Sequence, residues 1–128
     1  MTGERRPAIV CGGRDYRGSW TAARWLLLEL HRHDADALYH GDCRGADLWA
    51  AGVVRRRLPQ LRVRPFPADW SVGKQAGPLR NYAMAVEAAS HGRIPVLLAF
   101  PGADGTANMV AVARRRGIEV VTYEEVKT

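Results

Sequence analysis

Residues 8–13 read Ala8-Ile9-Val10-Cys11-Gly12-Gly13, an apolar run that stops at a glycine pair. A run too short for a helix and free of polar interruptions predicts a strand buried on both faces, and the glycines predict the turn that ends it. Ser19 then offers an N-cap, and from Trp20 the residues Ala23, Leu27 and Leu30 recur at helical spacing to about Arg32. Trp25 and Leu28 fall on a different face of that helix.

The same unit repeats along the chain. Ala37–His40 predicts a second strand meeting Gly41. The helix after Gly45 carries Leu48, Ala51, Val54 and Leu58 as its stripe and ends at Pro59. Residues 61–66 predict strand three. A long connection over 67–77 follows, then a helix opened by Pro78, with Leu79, Tyr82, Ala83, Val86 and Ala89 as its buried face and an end near Gly92. Residues 96–100 predict strand four, and the turn 101–106 leads to a helix over about 107–116. Gly117 separates it from strand five, 118–122, and from Glu124 the tail predicts one more helical turn. Continuous apolar strands alternating with amphipathic helices indicate an α/β fold: a three-layer, parallel sheet of about five strands with helices on both faces, as one domain spanning 1–128. Right-handed crossovers place every strand-to-helix turn at one edge of that sheet.

Bulk properties narrow the function classes. A chain of 128 residues with 47% hydrophobic content buries a core without disulfides or metals. No stretch reaches the roughly 18 apolar residues of a membrane helix, and the N-terminal residues lack the apolar segment of a secretory signal, so a cytoplasmic protein is expected. Cys11 and Cys43 form no CxxC pair. The His40 and Cys43 spacing has no further ligands beside it, and neither metal nor cofactor is expected. The net charge of +6 comes from arginines, with Lys74 and Lys127 the only lysines. Runs such as Arg55-Arg56-Arg57 and Arg114-Arg115-Arg116 end predicted helices, where cations complement the dipole.

The unusual residues collect in the turns. Gly12, Gly13, Arg14 and Asp15 follow strand one; Gly41, Gly45, Ala46 and Asp47 follow strand two; Gly102, Gly105 and Thr106 follow strand four. Glycine turns and helix N-termini at one sheet edge suit an anion, because backbone N–H groups approach phosphate oxygens closely there. A tight turn needs the same glycines, so placement rather than any single motif carries the reading. Neither a Walker A sequence nor GxGxxG is present. Arg80 is placed to pair with a phosphate or a surface carboxylate, with Asn81 and Lys74 as further donors in its segment. Asp15 and Asp47 suit ribose hydroxyls or helix capping. Arg14 suits a phosphate, or a salt bridge to Asp47 or Asp69. Trp70 suits base stacking or packing over the next helix. Trp25 with Leu28, and Trp49 with Val53, suit either a homodimer interface or the edge of the core.

The motifs Val10-Cys11-Gly12-Gly13-Arg14-Asp15-Tyr16, His40-Gly41-Asp42-Cys43-Arg44-Gly45-Ala46-Asp47, Phe66-Pro67-Ala68-Asp69-Trp70, Gly77-Pro78-Leu79-Arg80-Asn81 and Ala99-Phe100-Pro101-Gly102-Ala103-Asp104-Gly105-Thr106 occur in that order. Over nearly the whole chain they resemble the YpsA-related branch of the SLOG superfamily, small bacterial and phage proteins similar to the cytokinin-activating LOG enzymes and to DprA. The resemblance implies a Rossmann-like domain that binds nucleotides or nucleotide-derived signals, often as a homodimer. LOG relatives cleave the N-glycosidic bond of nucleoside 5′-monophosphates with an arginine and with the glutamate of a PGGxGTxxE motif. Arg80 falls at the arginine position, as the candidate catalytic residue, whereas Met109 stands at the glutamate position and Ala103 at the second glycine. Phosphate binding by Gly102, Gly105 and Thr106 carries over.

The expected function is therefore binding of a nucleotide or nucleotide-derived phosphate, with sensing as a role that needs no catalysis. One alternative is N-glycosidic cleavage, with Asp47 or Asp104 in place of the missing glutamate. Another, from the positive charge, is DprA-like binding of single-stranded DNA.

Overall fold

A computed structural model describes residues 6–124. The chain runs β1 (Pro7–Cys11), α1 (Trp20–Arg32), β2 (Ala37–His40), α2 (Ala46–Arg57), β3 (Arg62–Pro65), a 3-10 turn (Trp70–Val72), α3 (Ala76–Ala88), a second 3-10 turn (Ala89–His91), β4 (Val96–Ala99), α4 (Asp104–Arg115) and β5 (Glu119–Thr122). The five strands form one sheet in the order β3-β2-β1-β4-β5, every pair parallel. The tail expected to turn beyond Glu124 lies outside the described residues. No helix among the described residues is long and apolar enough to cross a membrane.

Strand alternation splits the core into two layers. Ala8 and Val10 face α1 and α2, packing with Leu26, Leu30, Ala50 and Val54, while Ile9 and Cys11 face α3 and α4, packing with Met84, Ala85, Met109 and Ala113. β1, β2 and β4 are buried throughout, which is why they read as unbroken apolar runs. The edge strand β3 carries Arg62, Arg64 and Pro65, residues that discourage pairing with another chain.

Ser19 caps α1 as expected, its Oγ accepting from Ala22 N at 3.0 Å. The buried stripe of α1 is rotated from the expected one. Ala22, Leu26 and Leu30 are its centre, and Ala23 and Leu27 sit at its edge. In α2, Ala51 and Val54 are buried but Leu48 is 45% exposed.

Trp25 and Trp49 form the rim of the core. Trp25 meets the Phe100 ring edge-on at 5.2 Å, Trp49 meets the same ring at 5.2 Å, and Val53 is buried with them. The two tryptophans thus pack at the edge of the core, while Leu28 beside Trp25 stays 55% exposed.

The largest correction concerns α3. The expected face of Leu79, Tyr82, Ala83, Val86 and Ala89 points outward, and Ala76, Gly77, Asn81, Met84, Ala85 and Ala88 are buried instead. Small residues win because α3 packs closely on α4 and the sheet, where bulky side chains would hold it away. The start of α4 also moves. Its first turn includes Asp104, Gly105 and Thr106, because Ala103 already accepts from Ala107 N at 2.9 Å.

Candidate functional site

The chain leaves β1 toward β2 on one side and returns from α3 to β4 on the other, so β1 and β4 form the point where strand order reverses. In open parallel sheets a crevice opens beyond that point, at the carboxyl ends of the strands. Here it has a volume of about 890 Å³, within the size range of small-molecule sites.

Three turns are laid directly on one another to build its floor. Gly13 N–H donates to the Pro101 carbonyl at 2.8 Å, and the Gly13 carbonyl accepts from Ala46 N at 3.1 Å. Close approach explains the glycines here: a Cβ on Gly12 would meet Phe100 Cβ at 2.9 Å, and one on Gly102 would meet Gly13 N at 2.8 Å. Gly45 has φ 86° and lies against the Gly13 and Arg14 backbone. Gly45 and Ala46 consequently stand behind the floor and do not line the crevice, although both hold it together.

Gly12, Gly13, Gly41, Gly102, Gly105 and Thr106 do line it. Their amides differ in what they have left to offer. Gly13 N–H is spent on Pro101 and Gly41 N–H on Asp47 Oδ2 at 2.9 Å. Among the described residues, the N–H groups of Gly102, Ala103, Asp104, Gly105 and Thr106 have no acceptor, the last three because they open the helix. These donors sit at the positive end of the α4 dipole, with Asp104 as the acidic residue of that turn.

Arg80 rises from the first turns of α3 into the space between loops. Its Nη1 donates to the carbonyls of Gly41 and, at 3.2 Å, Phe66; its Nε donates to Asn81 Oδ1 at 2.9 Å. Among the described residues Nη2 has only the Cys43 sulfur, at 3.9 Å. Arg80 thus clamps the loops after β2 and β3 and shows one amino group to the crevice. Asn81 is buried and passes the chain of bonds on, donating to Asn108 Oδ1 at 2.9 Å.

Asp47 is buried on the wall. Its Oδ2 accepts from Gly41 N and, at 3.4 Å, from Cys43 N, so it organises the β2–α2 loop from within the helix; the N-cap position is Gly45. Burial pushes its pKa up to about 6 against the opposing pull of the Cys43 N–H, Arg80 and the Gly41 N–H. Burial, together with the Asp47 charge, raises the Cys11 thiol far above its ordinary value, leaving it a protonated, unreactive lining group.

The mouth is more exposed. Asp15 is exposed and pairs with Arg44 at 3.3 Å. Arg14 takes neither Asp47 nor Asp69, and lies over the Trp70 ring at 5.2 Å. Trp70 packs over Gly77 at the start of α3 and is half exposed. Lys74 is exposed at the same rim, without an ion pair among the described residues.

Met109 is buried and lines the crevice. Asn108 and Cys43 also line the site and were not among the expected residues. For Asn108 the available signal was a lone amide one turn after Asp104, beside the buried Met109.

His40 does not form a metal pair with Cys43. Its Nδ1 accepts from Asp42 N at 3.0 Å, the Cys43 thiol turns to the Gly41 carbonyl, and burial lowers the His40 pKa. Among the described residues no three His, Cys, Asp or Glu side chains group as metal ligands. No family model matches the chain, and no curated protein matches it.

Proposed function

We propose that this chain binds a nucleotide or nucleotide-derived phosphate in the crevice at the β1/β4 divergence, as a cytoplasmic member of the YpsA-related SLOG group. The observation that carries the reading is the unpaired run of N–H donors from Gly102 to Thr106, opening on a cavity of about 890 Å³. Such donors at a helix start hold a phosphate without side-chain charge. Arg14 and Lys74 supply cations at the mouth, and a base would stack on Trp70 in place of the Arg14 guanidinium that lies over its ring. Binding alone suits a sensor.

Native mass spectrometry of the purified protein, followed by calorimetric titration with nucleoside mono- and diphosphates, tests this. We expect binding that weakens about tenfold in Arg14→Ala/Lys74→Ala, in line with the loss of two charge-assisted contacts. No co-purified ligand and no heat with any nucleotide or with inorganic phosphate would overturn it.

One observation keeps cleavage as a second reading. Asp47 is a buried carboxylate on the crevice wall with a raised pKa, the condition of a general acid or base. Free base released from nucleoside monophosphates, and lost in Asp47→Asn, supports it; no release across all common bases rejects it.

The homodimer belongs to the same proposal, on a surface different from the one the tryptophans suggested. Leu79, Tyr82 and Val86 form an exposed stripe along α3, whose start lines the crevice.

A further inference from the structure

A second concavity, of about 550 Å³, lies between α1 and α2, and no residue lining it lines the crevice. Its floor is apolar: Ala23, Leu27, Trp49 and Val53. Trp20, 77% exposed, and Leu28, 55% exposed, stand at its lip.

Arg17, Arg24, Arg56 and Arg57 surround that floor, and no aspartate or glutamate lines it. None of the four arginines joins an ion pair among the described residues, while five other arginines do. Among the described residues, Arg57 alone of the four has a ring contact, lying over the Trp20 ring at 5.4 Å. The charge cannot be explained as helix-end complementarity alone. Arg17 precedes α1 and Arg24 sits in its first half, where a cation opposes the dipole.

These features select among occupants. A second copy of the chain in two-fold register would set these arginines against themselves, with no carboxylate between. A planar bilayer would reach the lip but not a recessed floor of Leu27, Trp49 and Val53. For a nucleic acid the aromatic surfaces are poorly presented, since Arg57 covers Trp20 and Trp49 is turned edge-on into Phe100 and Tyr16.

Aliphatic side chains fit the floor and carboxylates fit the rim. The lining residues span Trp20–Leu28 on α1 and Trp49–Arg57 on α2, giving a groove about 13 Å long, the length of just over two helical turns. We infer that this groove docks an acidic amphipathic helix of a partner protein, its apolar side chains at i, i+3 or i+4 and i+7 seated between α1 and α2 and its carboxylates on the four arginines.

A fluorescein-labelled peptide of about three to four turns, with leucine and phenylalanine on one face and glutamate elsewhere, is the probe; anisotropy on the full chain is the readout. We expect micromolar binding that weakens about tenfold between roughly 50 and 300 mM salt. Arg24→Glu/Arg57→Glu should lose at least about tenfold in affinity, and Leu28→Ser should weaken binding with little change in salt dependence. All three side chains are exposed, so circular dichroism and thermal melting of the variants should match wild type.

Absence of binding up to about 1 mM peptide at low salt would overturn the inference. Equal affinity in the charge-reversed variant, or equal affinity for the same peptide with lysine in place of glutamate, would also overturn it. Tighter binding of oligothymidylate or of phosphatidylserine vesicles than of the peptide, lost in the same double variant, would reassign the groove to nucleic acid or to membrane and reject the helix.

Discussion

At Asp47, burial and hydrogen bonding pull a carboxyl in opposite directions, and burial wins, so its pKa reaches about 6. In the unfolded chain the same group ionises near pH 4. Between those values the folded protein holds a proton that the unfolded chain has released. This group's contribution to stability is therefore fullest below about pH 4 and is lost as pH rises through about 6, by about 3 kcal/mol in all. Urea unfolding at about pH 4 and pH 7.5 should show wild type losing that increment relative to Asp47→Asn; parallel pH profiles would contradict it. Two glycines of the same turn make a second contrast. Gly102→Ala forces a methyl against Gly13 N and the Thr106 hydroxyl, and should cost about 1–3 kcal/mol. At Gly105 a Cβ meets nothing within 4 Å, so Gly105→Ala, in the first turn of α4, should gain about 0.5 kcal/mol. Denaturant midpoints of the two variants moving in the same direction would show that backbone packing is not what selects these glycines.

Among the elements, β1, β2 and β4 were legible because both their faces are covered and apolar residues run unbroken. The face of α3 was not. That helix carries two apolar stripes, one of large residues and one of alanines with Met84 and Asn81, and periodicity alone favours the larger. Only the space left against α4 decides between them. The beginning of α4 was hidden for a related reason: Ala103 has no side-chain oxygen to signal a cap, so the helix starts without a marker. The turns of the site could be grouped at one edge from crossover geometry. Arg80, however, reads as a free cation until its carbonyl partners on two other loops are seen. The stripe left outside on α3 makes its own prediction. Sedimentation velocity should show a dimer that Leu79→Lys/Val86→Lys converts to monomer; because both side chains are exposed, the stability of the monomer should change by no more than about 0.5 kcal/mol. A dimer indifferent to that pair of lysines would place the interface elsewhere.

For the whole molecule, the crevice exists only where both halves of the sheet meet. A nucleotide bound there stabilises the folded chain as a unit, by about 2.7 kcal/mol at a hundredfold excess over Kd. A domain of this size should then melt about 10 °C higher in a dye-free scan with nucleotide present. A local effect confined to the loops, without a shift of the main transition, would contradict that coupling. The Gly13–Pro101 hydrogen bond sets a temporal condition as well. During synthesis, a ribosome that has released β1, β2 and β3 has made most of the amide-poor side of the pocket but none of the wall from β4 onward. A half-made chain lacks the Gly102–Thr106 donors, so a nucleotide held as proposed can reward only the finished protein and cannot rescue one stalled before Pro101 has emerged.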